Sequence, residues 1–220
     1  MSLQDKILRP AVRLNTTPGT LLVETQRLQL RRTTAADVDH FVQCVGDPDV
    51  EAMLSDRFKV PDGVDDSKQY LRGVIEGLVK AERPSDDIGQ YPGPVVIFAL
   101  PGSTFNEHGS EPVPIGNMVV RPGADTGYRT WTIGYMLHRS AWGGGCCTEA
   151  VSALVRFLFE TWPELLRVQA QVYSHNPASM SVLKKVGFKE EGILRNATEK
   201  NGKMLDTITF GLLRTDPILC

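Results

Sequence analysis

The stretch from Thr130 to Trp162 constrains the fold more than any other part of the chain. Thr130–Leu137 reads as a strand. Ala150–Trp162 carries Val151, Leu154, Val155, Leu158 and Phe159 at the i, i+3, i+4, i+7, i+8 spacing of an amphipathic helix. Between them lies Arg139-Ser140-Ala141-Trp142-Gly143-Gly144-Gly145-Cys146-Cys147-Thr148-Glu149. The order is therefore strand, glycine loop, helix. Three glycines allow backbone conformations closed to other residues and leave the loop open to close approach by a ligand. The first amides of a helix lack intrahelical partners and sit at its positive end, so such a loop suits a phosphate. A tight turn with a glycine cap is the other reading, and the loop alone leaves both open. No Gly-Lys-Ser/Thr follows the glycines, and their spacing is not that of the dinucleotide fingerprint, so both of those nucleotide motifs are excluded.

The chain is 220 residues long, which suits a single domain with a sizeable core. A net charge of −2 with no Lys/Arg stripe argues against nucleic acid as a partner. No apolar run reaches the roughly 20 residues of a membrane span. Cys44, Cys146, Cys147 and Cys220 form no Cys-x-x-Cys pair, which argues against a metal site or a disulfide framework and fits a reducing cytoplasm. Met1–Thr20 reads as an irregular arm broken by Pro10, Pro18 and Gly19. It has no secretory core, and its basic residues leave open a weak targeting role.

After the arm, residues 21–31 read as one strand, and Thr34 as the N-cap of a helix reaching Val45. A short helical piece follows Asp47-Pro48, and Ser67–Glu82 is helical by the spacing of Tyr70, Leu71, Val74, Ile75 and Leu78. Strands are expected over Val95–Leu100 and Val113–Arg121, the second leading through the Pro122–Arg129 turn into Thr130–Leu137. Arg167–Tyr173 alternates as a strand. Asn176-Pro177 opens a helix that Gly187 ends. Phe188–Arg195 and Leu205–Leu213 close the chain around an Asn201-Gly202 turn. This is an α+β order with a mixed sheet: a domain over residues 21–215, preceded by the arm (1–20) and followed by a tail (216–220).

Five segments, in order, resemble the GNAT N-acetyltransferase superfamily and, within it, the Rim-type branch of ribosomal-protein N-terminal acetyltransferases. They are Glu24–Arg31, Ile133-Gly134-Tyr135, Trp142–Ala150, Asn176-Pro177-Ala178-Ser179 with Val182–Phe188, and Asn201-Gly202-Lys203 followed by Asp206. The resemblance implies a central, mostly antiparallel, splayed sheet with helices on both faces. It also implies acetyl-CoA as donor, CoA as product, a primary amine as acceptor, and a possible homodimer. The acceptor is a small molecule or a protein N-terminus.

Carried over residue by residue, the family pattern puts the CoA pyrophosphate on Trp142, Gly143, Gly144, Gly145, Cys146, Cys147 and Thr148. The extended pantetheine arm falls beside the backbone of Tyr135, Met136 and Leu137. Asn176 matches an asparagine that contacts this arm, and Lys185 a lysine that meets the 3′-phosphate. Ser179 matches the Rim-type residue that protonates the leaving thiolate, and Tyr173 is a second acid candidate.

The chain departs from the pattern at three places. Cys147 stands for Gly or Ala, Leu183 for a helix tyrosine, and Thr132 for a strand glutamate. With that glutamate absent, Glu24, Asp125, His138 and Glu149 are the remaining base candidates, His138 being the preferred one. The acidic loops with Asp62, Asp65, Asp66, Asp86 and Asp87 suggest a cationic acceptor. The missing catalytic residues also motivate a second reading, a non-catalytic acyl-CoA-binding or regulatory module. A third is transfer of a longer acyl group.

Overall fold

The structure is a computed structural model that describes residues 8–12, 14–15, 17–61, 63–81 and 91–220. The strands are β1 (Leu21–Glu24), β2 (Leu28–Arg32), β3 (Val95–Ala99), β4 (Val113–Pro122), β5 (Thr130–Leu137), β6 (Arg167–Tyr173), β7 (Lys189–Lys200) and β8 (Lys203–Leu213). The helices are α1 (Val38–Val45), α2 (Pro48–Glu51), α3 (Ser67–Ala81), α4 (Cys146–Thr161) and α5 (Pro177–Val186). The strands form one sheet in the order β1-β2-β3-β4-β5-β6-β8-β7.

Alternation along β3 shows how the sheet is covered. Val95, Ile97 and Ala99 join the larger core, under α4 and α5, with Leu154, Val155, Leu158 and Trp162. Val96 and Phe98 point the other way, into a second cluster with Phe41 and Val45 of α1 and Leu71 and Ile75 of α3. A strand buried on both faces can be apolar at every position, as Val-Val-Ile-Phe-Ala is.

All neighbouring strands pair antiparallel except β5 and β6, which run parallel through the crossover helix α4. That pairing is brief: Thr130 faces Arg167, Trp131 faces Val168, and Thr132 faces Gln169. Beyond Thr132, β5 stays bound to β4 out to Leu137, and β6 stays bound to β8 out to Tyr173. The two strands therefore diverge, and each presents an unpaired edge to the gap. Gln169 Nε2 donates to Thr132 Oγ1 at 3.1 Å on the last paired rung.

The segment expected as one strand over residues 21–31 is two. The Leu28 amide donates to Thr25 Oγ1 at 2.9 Å and the Thr25 amide to the Leu28 carbonyl at 2.8 Å, which closes a tight turn and folds β2 back on β1. The last hairpin is longer than expected, with β7 reaching Lys200. The arm and tail are tied down where they are described. Leu8 is buried in the larger core, the Ala11 amide donates to the Thr161 carbonyl, and the Leu219 amide donates to the Val186 carbonyl.

Candidate functional site

A cavity of about 420 Å³ occupies the gap between β5 and β6. Tyr135 and Gly134 line it on the β5 side, and Gln171 and Tyr173 on the β6 side. Asn176 and Ser179 of α5 close one end, while Phe41 of α1, Ile75 of α3 and the 53–58 segment close the other. The cavity thus passes through the sheet, joining the α4/α5 face to the α1/α3 face.

At the α5 end, Asn176 caps the helix by accepting a hydrogen bond from the Ser179 amide at 3.0 Å. Pro177 fills the first helical position, and Gly187 ends the helix at φ +113°. The cap holds Ser179 at the gap, where its Oγ lies 2.9 Å from the Tyr135 hydroxyl. Tyr135 OH also lies 3.2 Å from the Ser179 carbonyl. Burial holds the Tyr135 phenol above its ordinary value, so Tyr135 stays protonated and can donate to Ser179. Tyr173 lines the same cavity with its ring stacked on His175, and its hydroxyl has no hydrogen-bond partner among the described residues. Burial raises its phenol as well. Leu183 is wholly buried in the core and offers no proton.

On the α4 side, Gly145 caps the helix at φ +78°, and the first intrahelical bond runs from the Glu149 amide to the Gly145 carbonyl. The amides ahead of Glu149 have no place in the helical ladder and are available to an anion. Gly144 has no room for a side chain, because a Cβ there would lie 2.4 Å from the Phe105 ring. Trp142 turns its indole back on the strand, with Nε1 donating to the Leu137 carbonyl at 3.1 Å. Leu137 is buried, and Met136 lines the cavity.

Glu149, a base candidate from sequence, is committed elsewhere. It accepts from Thr25 Oγ1 at 2.6 Å and from Arg27 Nε at 2.7 Å. Arg27 in turn donates to the Gly144 carbonyl at 3.0 Å, so the β1–β2 turn braces the glycine loop. Arg27 is a site-building residue that the sequence reading passed over, although it lies inside one of the segments quoted for the resemblance.

Cys146 and Cys147 pack in and against the larger core. Cys146 is buried, Cys147 is half-buried, and desolvation pushes the Cys147 thiol up to about 12. A helix N-terminus alone would lower it, and desolvation outweighs that pull. Thr148 follows in the first turn of α4, half-buried. Lys184 pairs with Glu190 at 3.0 Å, which leaves Lys185 as the α5 lysine with no ion pair among the described residues.

His138 does not line the cavity. It follows the last residue of β5, and its Nε2 lies 2.8 Å from Nδ1 of the buried His40 on α1. His40 Nε2 faces the Gly116 carbonyl at a long 3.5 Å. With His40 donating to that carbonyl, its Nδ1 accepts from His138 Nε2–H, and both rings are satisfied as neutral imidazoles. Burial depresses both, His40 down to about 4. The expectation that His138 faces an acceptor is not met. Glu24 is held by Gln29 Nε2 at 2.6 Å, and Asp125 sits in a turn outside the cavity.

The acceptor-side wall also differs from expectation. Ser55, Arg57, Phe58 and Pro94 line it, as expected of their loops, but no residue of the Pro122–Arg129 turn does. Asp65 and Asp66 lie outside the lining, and Asp62, Asp86 and Asp87 fall outside the described residues. Among the described lining residues there is no Asp, Glu or His, and the charged ones are Arg57 and Arg121. The 53–58 segment is pinned by the buried Lys200, which pairs with Glu51 and, at 3.2 Å, with Asp56. Asp56 also accepts from the Asn201 amide at 2.8 Å. No group of three or more His, Cys, Asp or Glu able to hold a metal, and no helix long and apolar enough to cross a membrane, is found among the described residues.

Known proteins resemble this chain in sequence or in fold. An N-acetyltransferase of Bacillus licheniformis called p20, itself uncharacterized, is 37% identical over 84 residues, which is 38% of this chain and 47% of p20. The chain spans about half the length of the curated relatives it matches. A GNAT-family acetyltransferase from Bacillus anthracis superposes with a TM-score of 0.64 at 19% identity, covering 87% of this chain and 97% of that one. RimJ of Mycobacterium smegmatis, solved in complex with CoA-disulfide, superposes with a TM-score of 0.64 at 22% identity over 85% of this chain and 82% of RimJ. At these identities the structures establish the fold. The model of the acetyltransferase (GNAT) domain matches residues 27–189, from the Arg27 brace through the glycine loop to the end of α5 and the start of β7, and the chain belongs to that family.

Proposed function

We propose that this protein is an N-acetyltransferase that moves an acetyl group from acetyl-CoA to a primary amine within a ternary complex. The observation that carries this reading is the gap between β5 and β6. One unpaired strand edge and one serine hydroxyl meet at a cavity open to both sheet faces, and the anion-ready start of α4 follows the same strand in the chain.

The residues present fit acetyl-CoA. The amides of Gly143–Thr148 suit its pyrophosphate, and the free edge of β5 suits an amide-rich extended arm, as an added strand would. Lys185 offers a cation for a terminal phosphate. When bound, acetyl-CoA supplies an activated thioester from which an amine displaces the thiol. Ser179, whose amide is capped by Asn176 and whose hydroxyl is hydrogen-bonded to Tyr135, would give a proton to the departing sulfur, and those two contacts support the role. Holding two reactants in line in such a gap is worth up to about 7–11 kcal/mol of barrier.

No carboxylate or imidazole lines the cavity among the described residues, so deprotonating the acceptor falls to solvent. This favours amines that are already partly neutral near pH 7. An α-amine with a pKa of about 8 meets that condition far better than a lysine near 10.4.

The test is a thermal shift with CoA and acetyl-CoA, followed by thiol release across α-amino acids, peptides, polyamines and alkylamines. A ligand at 100 times its Kd adds about 2.7 kcal/mol to stability, a readily visible shift. Absence of any shift overturns the reading. Binding without turnover on any amine replaces it with a binding module, and faster release from longer acyl thioesters revises the donor.

A further inference from the structure

The floor of the acceptor half of the cavity holds an amide with nothing to bond to. Asn117, in the middle of β4, is 2% exposed and lines the cavity. Both its side-chain atoms, Nδ2 and Oδ1, are buried without a hydrogen-bond partner. Its strand neighbours are Val96 on β3 and Met136 on β5, and both belong with the apolar cluster on the α1/α3 face. Phe41 and Ile75 line the cavity from the helices above. These four side chains, Val96, Met136, Phe41 and Ile75, are all apolar. A leucine would fill the place and leave no polar atom unpaired. Buried polar groups in folded proteins are almost always satisfied, so an orphaned pair facing a cavity marks a place where a ligand completes the bonding.

Both atoms being unpaired narrows the ligand. Nδ2 needs an acceptor and Oδ1 needs a donor, side by side in one plane. Exchanging the two atoms leaves the requirement unchanged. An alkylamine or polyamine nitrogen, when protonated, has only N–H donors and strands Nδ2. A carboxylate has only acceptors and strands Oδ1. A primary carboxamide supplies both side by side, whereas a trans peptide bond presents its N–H and C=O on opposite sides. The charge of the walls agrees: a polyamine would bring extra ammonium groups to a lining that carries Arg57 and Arg121 and no Asp or Glu among the described residues.

Building on the acetyltransferase reading above, we propose that Asn117 is the acceptor-specificity residue and that the acceptor carries a primary carboxamide next to its reactive amine. Nδ2–H donates to the carboxamide carbonyl of the acceptor, and the carboxamide N–H on the same side as that carbonyl donates to Oδ1. This pairing fixes the acceptor by two parallel hydrogen bonds while its amine is held toward the β5–β6 gap. Asn117 is directly opposite Met136, in the stretch of β5 whose far edge is unpaired, so a molecule anchored there needs no long reach. A small amino-acid amide meets this requirement, whereas the first peptide bond of a peptide turns its N–H away from its C=O.

The experiment measures kcat/KM with acetyl-CoA for four acceptors built on one residue: the alkylamine of matching size, the free amino acid, the amino-acid amide and the tripeptide. Wild type, Asn117→Leu and Asn117→Asp are compared. Wild type is expected to favour the amino-acid amide over the alkylamine by at least about tenfold, since a site that hydrogen-bonds its substrate rejects the analogue lacking those groups. Asn117→Leu is expected to abolish that preference while leaving CoA affinity unchanged and the melting temperature unchanged or higher. Asn117→Asp, of the same shape, loses the donor and is expected to lose the preference too. It keeps the test available if the leucine variant does not fold. An activity-free arm measures the extra thermal shift that the N-acetylated amide gives over the N-acetylated alkylamine in the presence of CoA.

A tripeptide at least as fast as the amino-acid amide overturns the pairing, because its trans peptide bond cannot make both hydrogen bonds. If amines are acetylated but the alkylamine does as well as the amide, or Asn117→Leu keeps the preference, the inference is wrong and the acetyltransferase reading stands. If no amine is acetylated and the N-acetylated amide gives no extra shift over the alkylamide, both fall.

Discussion

Ser179 and Cys147 show how the surroundings of one side chain decide its role. Both occupy the first turn of a helix, and the family pattern set both against acetyl-CoA. Ser179 lines the cavity with its hydroxyl 2.9 Å from Tyr135 OH, so its oxygen is oriented by a neighbour and open to a ligand. Cys147 is half-buried against the core with its thiol held near 12, and it does not line the cavity. Ser179→Ala is therefore expected to keep CoA binding, seen as an unchanged thermal shift, and to lower kcat by about 10²-fold or more, the scale of losing a positioned proton donor. Retention of full kcat would transfer that role to Tyr173, whose hydroxyl lines the same cavity. Cys147→Ala is expected to leave kcat and acetyl-CoA affinity within about twofold, because only packing is trimmed. A large loss in affinity, measured by calorimetry, would show that the thiol contacts the ligand. The roles of Ser179, Asn176 and Lys185 came from a matched pattern, and the structure adds where each side chain goes. Asn117 carried no signal, because an asparagine in a strand looks like any polar residue until both of its neighbours and the cavity are known.

Periodicity and capping residues located nearly every helix and strand, and they failed where a turn needs no glycine. Thr25-Gln26-Arg27 turns the chain through the Thr25 hydroxyl, which no apolar pattern records. The same turn then supplies Arg27 to the Gly144 carbonyl and to Glu149, so the glycine loop rests on a hairpin far away in sequence. Within the loop, Gly145 sits at φ +78° as the N-cap of α4. An alanine there has space, since a Cβ would meet nothing nearer than an Arg27 nitrogen at 3.6 Å, but the left-handed backbone disfavours it. Gly145→Ala is expected to destabilise the protein by about 1–2 kcal/mol and to weaken CoA binding as the loop amides turn. Denaturant melts with and without CoA separate the two effects, and unchanged values in both would show that the loop tolerates another geometry. The β7–β8 hairpin plays a matching part on the acceptor side. Lys200, buried between Glu51 and Asp56, holds the 53–58 wall. Lys200→Met is expected to raise the acceptor KM about threefold or more with CoA affinity unchanged, because the loosened wall belongs to the acceptor half alone. A rise in the CoA Kd instead would mean that the wall supports the whole gap.

For the molecule as a whole, the α+β class followed from the order of elements, but the sheet order did not. That β8 lies between β6 and β7, and that the β5–β6 pairing lasts only three residues on each strand, are long-range facts that local periodicity cannot carry. A second long-range fact is the link between the α1 layer and the sheet, where His40 and His138 meet across 98 positions of sequence. From sequence His138 was a base candidate and His40 an ordinary helix residue. Together they form a neutral pair that ties α1 to the end of β5, and that pair gives the fold a defined weakness in acid. An unfolded histidine titrates near 6.5, whereas burial and the neighbouring His138 hold His40 down to about 4. Between those values the unfolded chain binds the proton and the folded chain does not, so stability falls as pH drops through that window, by up to about 1.4 kcal/mol per unit for one group. Above about 6.5 both states are neutral and the contribution is flat, and below about 4 both are charged. The total loss from His40 reaches at most about 3.4 kcal/mol on this basis. Nearby Asp37 and Arg31 are paired with each other at 2.8 Å and pull His40 in opposite directions. His40→Gln removes the titrating ring and keeps a donor for the Gly116 carbonyl. Urea midpoints of the variant between pH 7 and 4.5 are expected to fall less steeply than those of the wild type, with the two curves converging toward low pH. Parallel curves across that window would show that the acid sensitivity arises elsewhere and that the pair can accept a proton without loosening α1.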